Sequence, residues 1–485
     1  MLSLLGLGQA APVIHASDQV IPLHWFEDGF MWKKVIVYTL LSFDAALDPE
    51  ILRQSLESLI TTKGYRKLGG RLRKNKQGAV EYHVPLEFSE ARPALTYHHV
   101  HHDMNAEDHA VAALIPKPVS LTGPTIMGDP EKLSELSRPG GKSLSLDDYL
   151  VSDRSTLGLF VTTFKNKTCF SLYWPHLAFD AMGKHAIMDG WIKIMQGRQS
   201  EIPEPIGSDD DPLVDFGKHA TDDHLLADRR VSNLGMAGYA LRNISGLAGP
   251  KEIRMVCLPA AFWQKIVADV REDLKNEAAD GEVPFVTEGD VITAWWTRMC
   301  CSHMRKDSST TVAAQNAMSL RRVLKDDLLP QNKPFISMAL GFPTVILPAK
   351  DILTKPLSWL ALQFRHAIRD QGTRAQVESY AALQREFSPT LRMPVFFGDT
   401  GMYNLFFSNW QRAGLFNFDF SAAAKVPNSD GKAVRPSYIH CVQDPAFPEG
   451  WPISGKDEHG NYWISGFREK GLWAKVDEEL KEYAC

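Results

Sequence analysis

The stretch SLYWPHLAFDAMG, from Ser171 to Gly183, contains the most informative residues of this 485-residue chain. An apolar run leads to Pro175, and proline cannot continue a central strand, so the sequence predicts a strand that ends immediately before His176. Polar groups at such strand ends face clefts between domains, where ligands usually bind. An imidazole with a pKa near 6.5 can take a proton from a hydroxyl at neutral pH. Asp180, four residues later, can turn back and brace the loop by pairing with an arginine.

The spacing of histidine and aspartate does not by itself identify a site, because nine of the sixteen histidines have Asp four residues later. These pairs begin at His24, His99, His176, His185, His219, His224, His303, His366 and His440. His185 lies inside a predicted helix, where an i, i+4 pair is usually a surface pair. His219 and His224 lie in a polar segment and are expected to be solvated, whereas the pattern does not exclude His24 or His440. The preceding strand therefore favours His176.

Composition limits the function classes. The chain is 44% hydrophobic and 23% charged, with a net charge of −5, which is typical of a soluble enzyme or binding protein and excludes a basic nucleic-acid surface. Six cysteines without a C-x-x-C pair argue against a disulfide scaffold and favour a reducing, cytoplasmic compartment. No run approaches the roughly 20 apolar residues that span a bilayer, so no membrane span is expected. An apolar N-terminus without Lys or Arg makes a signal peptide unexpected.

The order of predicted elements indicates an α/β protein of two domains. Strands are predicted at 33–45, 158–163, 168–174 and 253–258, and helices after Pro49, from Gly183 to Gly197, at 259–277 and at 288–300. Proline, glycine and an Asp run interrupt this pattern. We therefore predict a first domain over residues 1–205, a crossover segment over 206–250 and a second domain over 251–485.

Two further segments permit more than one interpretation. In HHVHHD, from His98 to Asp103, strand alternation places His99 and His101 on one face, but the sequence has no complementary ligand cluster, so a solvated strand is favoured over a metal site. The aromatic segment FSNWQRAGLFNFDFSAAA, from Phe407 to Ala424, is either a buried sheet edge or the wall of an acceptor pocket in which Asp419 is structural.

Taken together, five stretches resemble the BAHD acyltransferases, the CoA-dependent H-x-x-x-D family, and in particular its divergent fungal branch. They are HLAFDAMG, LRQSLESLITTKGYRKLGGRLR, EGDVITAWWTRM, AMSLRRVL and SNWQRAGLFNFDF, and their order covers nearly the whole chain. Two positions depart from the family pattern. Ala181 replaces the glycine after Asp180, and the D-F-G-W-G box is reduced to a sequence that begins at Asp419 and lacks both glycines and the tryptophan.

The resemblance implies two chloramphenicol-acetyltransferase-like domains, each a mixed sheet flanked by helices, with a substrate channel between them. It implies that His176 is the catalytic base and that Asp180, Arg321 and Gly183 support it structurally. Ser408, Asn409 and Trp410 are expected to bind substrate and to include the oxyanion donor, and Asp419 is expected to be structural.

The resemblance also implies the partners. The expected co-substrate is acyl-CoA, with acetyl-CoA as the default, and the expected acceptor is the hydroxyl of a secondary metabolite such as a terpenoid or alkaloid. No bound cofactor or metal and a monomeric state are expected. Three alternatives remain: N-acylation, a carrier-bound acyl donor, and a non-catalytic ligand-binding protein of this fold. Condensation domains that use a carrier have a doubled histidine, whereas Pro175 precedes His176 here.

Overall fold

The structure is a computed structural model that describes residues 12–117, 122–278, 281–387, 389–390, 392–426, 431–443 and 449–483. Its strands are β1 Gln19–Pro22, β2 Ile36–Phe43, β3 Arg71–Lys74, β4 Val80–Val84, β5 Thr96–His101, β6 Thr125–Gly128, β7 Gly158–Thr163, β8 Thr168–Pro175, β9 Lys251–Leu258, β10 Thr311–Asn316, β11 Met318–Ser319, β12 Leu340–Gly341, β13 Thr344–Pro348, β14 Tyr403–Asn409, β15 Tyr438–Gln443, β16 Gly450–Lys456 and β17 Tyr462–Glu469. Its α-helices are α1 Phe30–Lys34, α2 Pro49–Thr61, α3 Ser134–Ser137, α4 Leu146–Leu150, α5 Ala181–Met195, α6 Asn233–Arg242, α7 Ile244–Ala248, α8 Ala260–Glu277, α9 Glu288–Cys301, α10 Ala349–Thr354, α11 Leu357–Gln371, α12 Arg374–Phe387 and α13 Leu472–Glu482.

Two mixed sheets form the framework of the molecule. The first has the strand order β15-β2-β8-β7-β5, with β8 antiparallel to both of its neighbours and β5 parallel to β7. The second has the order β13-β10-β14-β16-β17-β9-β6. Every residue of β2, β7 and β8 is buried, because both faces of this part of the sheet are covered. Such strands have continuous apolar runs instead of strict alternation.

Each sheet includes one strand from the opposite half of the chain. β15 follows the second sheet's strand β14 in sequence, yet it pairs with β2 in the first sheet. In the other direction, β6 belongs to the first half and pairs with β9 in the second sheet. The division into 1–205, 206–250 and 251–485 stays a prediction. It assigns β6 and β15 by their position in the sequence and did not anticipate that each pairs with the sheet of the other half.

The local signals in the sequence explain several elements near the site. Asp48 caps α2 by accepting hydrogen bonds from the backbone N–H groups of Glu50 and Ile51, with Pro49 at the first helical position. Strand β7 has the predicted bounds, and β8 extends one residue further than predicted, to Pro175.

The segment 206–250 differs from the expectation in two ways. It contains the helices α6 and α7, although its composition suggested an irregular crossover. His224 is not solvated as expected. It is 5% exposed and stacks on Phe397 with the ring centroids 4.9 Å apart. The polar residues around His224 in the sequence gave no sign of the aromatic surface against which it packs. Within the described residues, no helix is long and apolar enough to cross a membrane.

Candidate active site

His176 lies where the first sheet faces the second. It follows β8 directly and begins a 3-10 turn, His176–Ala178, that leads into α5. Its backbone N–H donates to the carbonyl oxygen of Val35 at 2.8 Å, which continues the pairing of β8 with β2 by one residue. The Trp174 ring stacks on Phe179 at 4.4 Å and its indole N–H donates to the Phe179 carbonyl oxygen. These contacts fix the turn that presents the imidazole.

A largely apolar pocket opens beside this turn, between the ends of both sheets. Its lining comprises Trp32, Val35, Val37, Trp174, His176, Phe179, Asp180, Ala181, Lys184, Ala317, Leu340, Phe342, Phe406, Phe407, Ser408, Trp410, Gly450, Trp451 and Pro452. The first sheet contributes β8 and the residues around β2, and the second contributes β14 and β16. An apolar cleft with a few convergent polar groups is the usual form of a small-molecule site.

His176 is partly exposed, whereas its Nδ1 atom is buried and makes no well-formed hydrogen bond with another described residue. The accessible side of the ring is therefore the Nε2 side. The ring packs against Trp32, with centroids 5.0 Å apart. Burial lowers the pKa of His176, the carboxylate of Asp180 opposes this lowering, and the cation of Lys184 adds to it. A histidine with a lowered pKa is neutral at pH 7 and can accept a proton.

Both carboxylate oxygens of Asp180 already accept hydrogen bonds from the protein. The carboxylate is therefore not free to react with a ligand in the pocket. Oδ1 caps α5 by accepting from the N–H groups of Met182 and Gly183, each at 3.0 Å. Oδ2 accepts from Arg321 Nη1 at 2.8 Å and from the Ala339 N–H at 2.9 Å. With Asp180 only 1% exposed, the carboxylate ties the start of α5 to the second half of the chain.

Arg321 completes this brace from the 3-10 turn Leu320–Arg322. Besides Asp180, its guanidinium donates to the carbonyl oxygens of Phe335 and Ser337 at 2.7–3.0 Å. Gly183 lies against the same segment. A Cβ atom at Gly183 would stand 2.2 Å from the carbonyl oxygen of Ile336, a distance that no real Cβ tolerates. The glycine is thus required by the close approach of the 335–339 backbone to α5.

The predicted binding residues Ser408, Asn409 and Trp410 occupy different places. Ser408 and Trp410 line the pocket, whereas Asn409 is not among its lining residues. The Trp410 indole N–H donates to Ser408 Oγ at 2.8 Å, which leaves the Ser408 hydroxyl proton available to a ligand. Asn409 Oδ1 instead accepts from the Gln411 N–H at 3.0 Å and caps the following 3-10 turn.

The remaining candidates lie outside the pocket. Asp419 accepts from the backbone N–H of Ser421 at 2.9 Å, and Ser421 Oγ accepts from the N–H of Val434. His185 Nδ1 contacts the carbonyl oxygen of Ala413 at 2.9 Å. The strand β5, at a sheet edge, carries the first four residues of the HHVHHD run, and among the described residues no group of three or more metal-ligating side chains forms.

Among the pocket residues that the sequence did not indicate, Trp32 and Lys184 act most directly on His176. Trp32 lies in the short helix α1 and had no motif to mark it. Lys184 is 1% exposed, and the helical spacing that placed Ile187 and Trp191 on the apolar face of α5 also places residue 184 there. A lysine at an apolar helical position is a signal that could have identified it.

No protein-family model matches the chain, but similar proteins align over its full length. The acetyltransferase adrJ of Penicillium roqueforti is 30% identical over 484 residues, with 97% of each chain covered. The chain belongs to the BAHD-type acyltransferase family. This family also includes the O-acetyltransferase PaAT-2 of Phomopsis amygdali, at 28% identity and 96% coverage of the chain. A protein named transcriptional regulator calD, from Penicillium decumbens, is 34% identical, with 97% of each chain covered.

Solved structures with the same architecture confirm the predicted two-domain fold. TRI101 of F. sporotrichioides, complexed with coenzyme A and T-2, superposes with a TM-score of 0.66 at 14% identity and covers 96% of this chain and 99% of that one. Vinorine synthase superposes with a TM-score of 0.59 at 13% identity, covering 98% and 96%. At such low identity the likeness concerns the fold alone.

Proposed function

We propose that this family member is a CoA-dependent O-acyltransferase that transfers an acyl group, with acetyl as the default, from acyl-CoA to a hydroxyl of a small secondary metabolite. One observation carries this proposal. A neutral, partly exposed His176 faces a pocket between two sheets, at the end of a strand whose exit is braced by the Asp180–Arg321 ion pair. A general base in this position needs the accessible nitrogen and the fixed ring that His176 has.

The reaction follows from these groups. His176 Nε2 removes the hydroxyl proton as the acceptor oxygen attacks the thioester carbonyl carbon, which gives a tetrahedral oxyanion. The C–S bond then breaks, the thiolate takes the proton back from the imidazolium, and the products are the ester and free CoA. The protein forms no acyl-enzyme in this scheme. Holding both substrates in one pocket supplies much of the rate by proximity.

The Ser408 hydroxyl is the proposed oxyanion donor. Its oxygen is already an acceptor for the Trp410 indole N–H, so its proton is directed elsewhere, and the pocket is the open direction. A donor fixed before the reaction stabilises the oxyanion without reorganisation. Asp180, Arg321 and Gly183 are proposed to act only by holding the turn and helix, and Asp419 and Asn409 by fixing the backbone after β14.

The names of the relatives support the proposed acyl transfer, and the cysteines bear on the compartment. Relatives of full length are named acetyltransferases, and TRI101 is complexed with coenzyme A and a small toxin. The described cysteines, which are Cys169, Cys257, Cys300, Cys301 and Cys441, are all buried thiols that are not in disulfides. This favours a reducing, cytoplasmic compartment, and we include a monomeric state in the proposal.

The experiment is a thiol-release assay with acetyl-CoA over a panel of terpenoid and alkaloid alcohols, with the products identified by mass spectrometry. We expect CoA release that requires both substrates and a product heavier by one acetyl group. A set of matched amines tests N-acylation, and an acyl-carrier thioester tests the alternative donor. If no alcohol, amine or donor gives turnover while ligands still bind, the chain is a binding protein. The name of the similar protein calD, a transcriptional regulator, is the reason for testing this alternative.

A further inference from the structure

A buried lysine lies in the wall of the proposed transfer pocket. Lys184 is one turn beyond Asp180 in α5, and its side chain passes beneath the helix toward the first sheet. Its Nζ atom stands 3.6 Å from the ring centroid of Trp410, 5.6 Å from that of Trp174, and 3.2 Å from Thr39 Oγ1. The charged end is therefore held between two indole rings and one hydroxyl.

This ammonium has no counter-ion among the described residues. An ammonium has three donors, and Thr39 takes one of them. The pocket's single carboxylate, Asp180, is fully engaged by Arg321, by Ala339 and by the N-terminus of α5. The electrostatic neighbours of Lys184 include a cysteine but no acid. Leaving a buried cation unpaired is costly, so a ligand that brings a negative charge to it gains what a neutral ligand does not.

We propose that Lys184 binds a carboxylate of the substrate, so that one of the two substrates carries an acid group that passes unchanged through the transfer. The inference rests on the proposed function, since it assumes that this pocket is the transfer site. The carboxylate can come from a dicarboxylic acyl donor or from a hydroxy-acid acceptor. Both place an anionic oxygen beside the same ammonium.

The surroundings of Lys184 strengthen such a contact. Lys184 is 1% exposed, with the rings of Trp174 and Trp410 beside its ammonium, and a buried ion pair is stronger than an exposed one. Burial lowers the pKa of Lys184 to about 8, which leaves it mainly charged at pH 7. Carboxylate binding should therefore weaken as the pH rises through about 8, since the neutral amine has no charge to offer.

The test compares acid and neutral forms of the same molecule. Isothermal titration measures the binding of 1-naphthoate and of methyl 1-naphthoate to the wild-type protein, K184M and K184Q. We expect wild type to prefer the acid by about tenfold or more, in line with one charged hydrogen bond, and both variants to lose that preference while binding the ester normally. Lys193→Met is the matched control, because Lys193 is in the same helix but pairs with Asp189 outside the pocket.

A second arm separates the two sources of the carboxylate. The kcat/KM of wild type and K184M is compared for succinyl-CoA against acetyl-CoA, and for hydroxy-acid acceptors against their methyl esters. Selective loss with succinyl-CoA places the acid on the donor, and selective loss with hydroxy acids places it on the acceptor. Equal loss with acid and neutral substrates, or an acid preference that K184M and K184Q retain, overturns the inference.

His176→Ala keeps the two proposals distinguishable. We expect this variant to lose turnover and to keep the Lys184-dependent preference for naphthoate. If wild type binds naphthoate through Lys184 but shows no acyl transfer, this inference is supported and the proposed function is contradicted. Transfer that depends on His176 without any preference for acids would do the reverse.

Discussion

At the scale of single residues, the pKa of His176 sets the pH range of the proposed reaction. Burial holds the pKa of His176 below the usual 6.5. At pH 6.5 and above, most of the protein therefore has this base unprotonated. We expect the acidic limb of kcat/KM against pH to lie below pH 6.5. Because Lys184 contributes to the lowering, K184M should move this limb toward higher pH. A limb at or above 7 in wild type would contradict the assignment of His176 as the titrating base.

Lys184 also has a consequence for stability. Its folded pKa of about 8 lies below the usual 10.5 of a lysine, so the folded state disfavours the charged form. This penalty is complete below pH 8, fades between 8 and 10.5, and amounts to about 3 kcal/mol. We expect Lys184→Met to raise the unfolding midpoint in urea at pH 7, with a gain that shrinks at pH 10. A lower midpoint at pH 7 would mean that the ammonium is a structural partner of the indole rings.

At the scale of elements, one carboxylate joins the turn, the helix and the opposite half of the chain. Asp180→Ala removes the cap of α5 and leaves Arg321 without its counter-ion. We expect a loss of about 3 kcal/mol or more in the free energy of unfolding, measured in urea. Asp180→Asn should recover only the part due to the cap.

Asp419→Ala is the matched comparison for Asp180→Ala. Among the described residues, Asp419 bonds to the local turn at Ser421, so we expect its loss to cost about 1 kcal/mol. Equal effects at the two positions would show that the Asp180–Arg321 pair contributes nothing beyond local capping.

The contact of α5 with the 335–339 segment gives a second prediction at this scale. Gly183→Ala places a Cβ atom against the Ile336 carbonyl oxygen, and the helix has to move. We expect a loss of about 1–3 kcal/mol, together with a lower kcat, because His176 shifts with the helix. Gly238→Ala in α6 is the control. A Cβ atom at Gly238 would lie 3.5 Å from its nearest neighbour, which is an ordinary contact distance. Thermal denaturation should therefore show a small gain in the free energy of unfolding, of about 0.5–1 kcal/mol.

The elements around the site could be predicted because local rules decide them. Pro175 ends β8, Asp48 caps α2, and a short run rich in apolar and β-branched residues gives the bounds of β7. The sequence did not indicate the helices of the 206–250 segment, because glycines interrupt them and most of their large apolar side chains are exposed instead of forming one buried face. Nor did it place His224, whose burial depends on Phe397 from a distant element.

At the scale of the whole molecule, the site exists only because two halves of the chain meet. His176, Asp180 and Lys184 come from the first half, whereas Arg321, Ser408 and Trp410 come from the second. The exchanged strands β6 and β15 join the same halves. Long-range pairing of this kind has no local sequence signature. The Arg321 partner and the pocket position of Ser408 were therefore available only through the family resemblance.

Turnover with wild type, His176→Ala and His185→Ala tests the central claim most directly. The two histidines share the same spacing to an aspartate, but only His176 faces the pocket, whereas His185 bonds to the Ala413 carbonyl oxygen. CoA release is followed with acetyl-CoA and an accepted alcohol, and circular dichroism checks that each variant is folded. We expect His176→Ala to lose at least about 100-fold in kcat and His185→Ala to stay within about threefold of wild type. Near-normal turnover by folded His176→Ala would contradict the account.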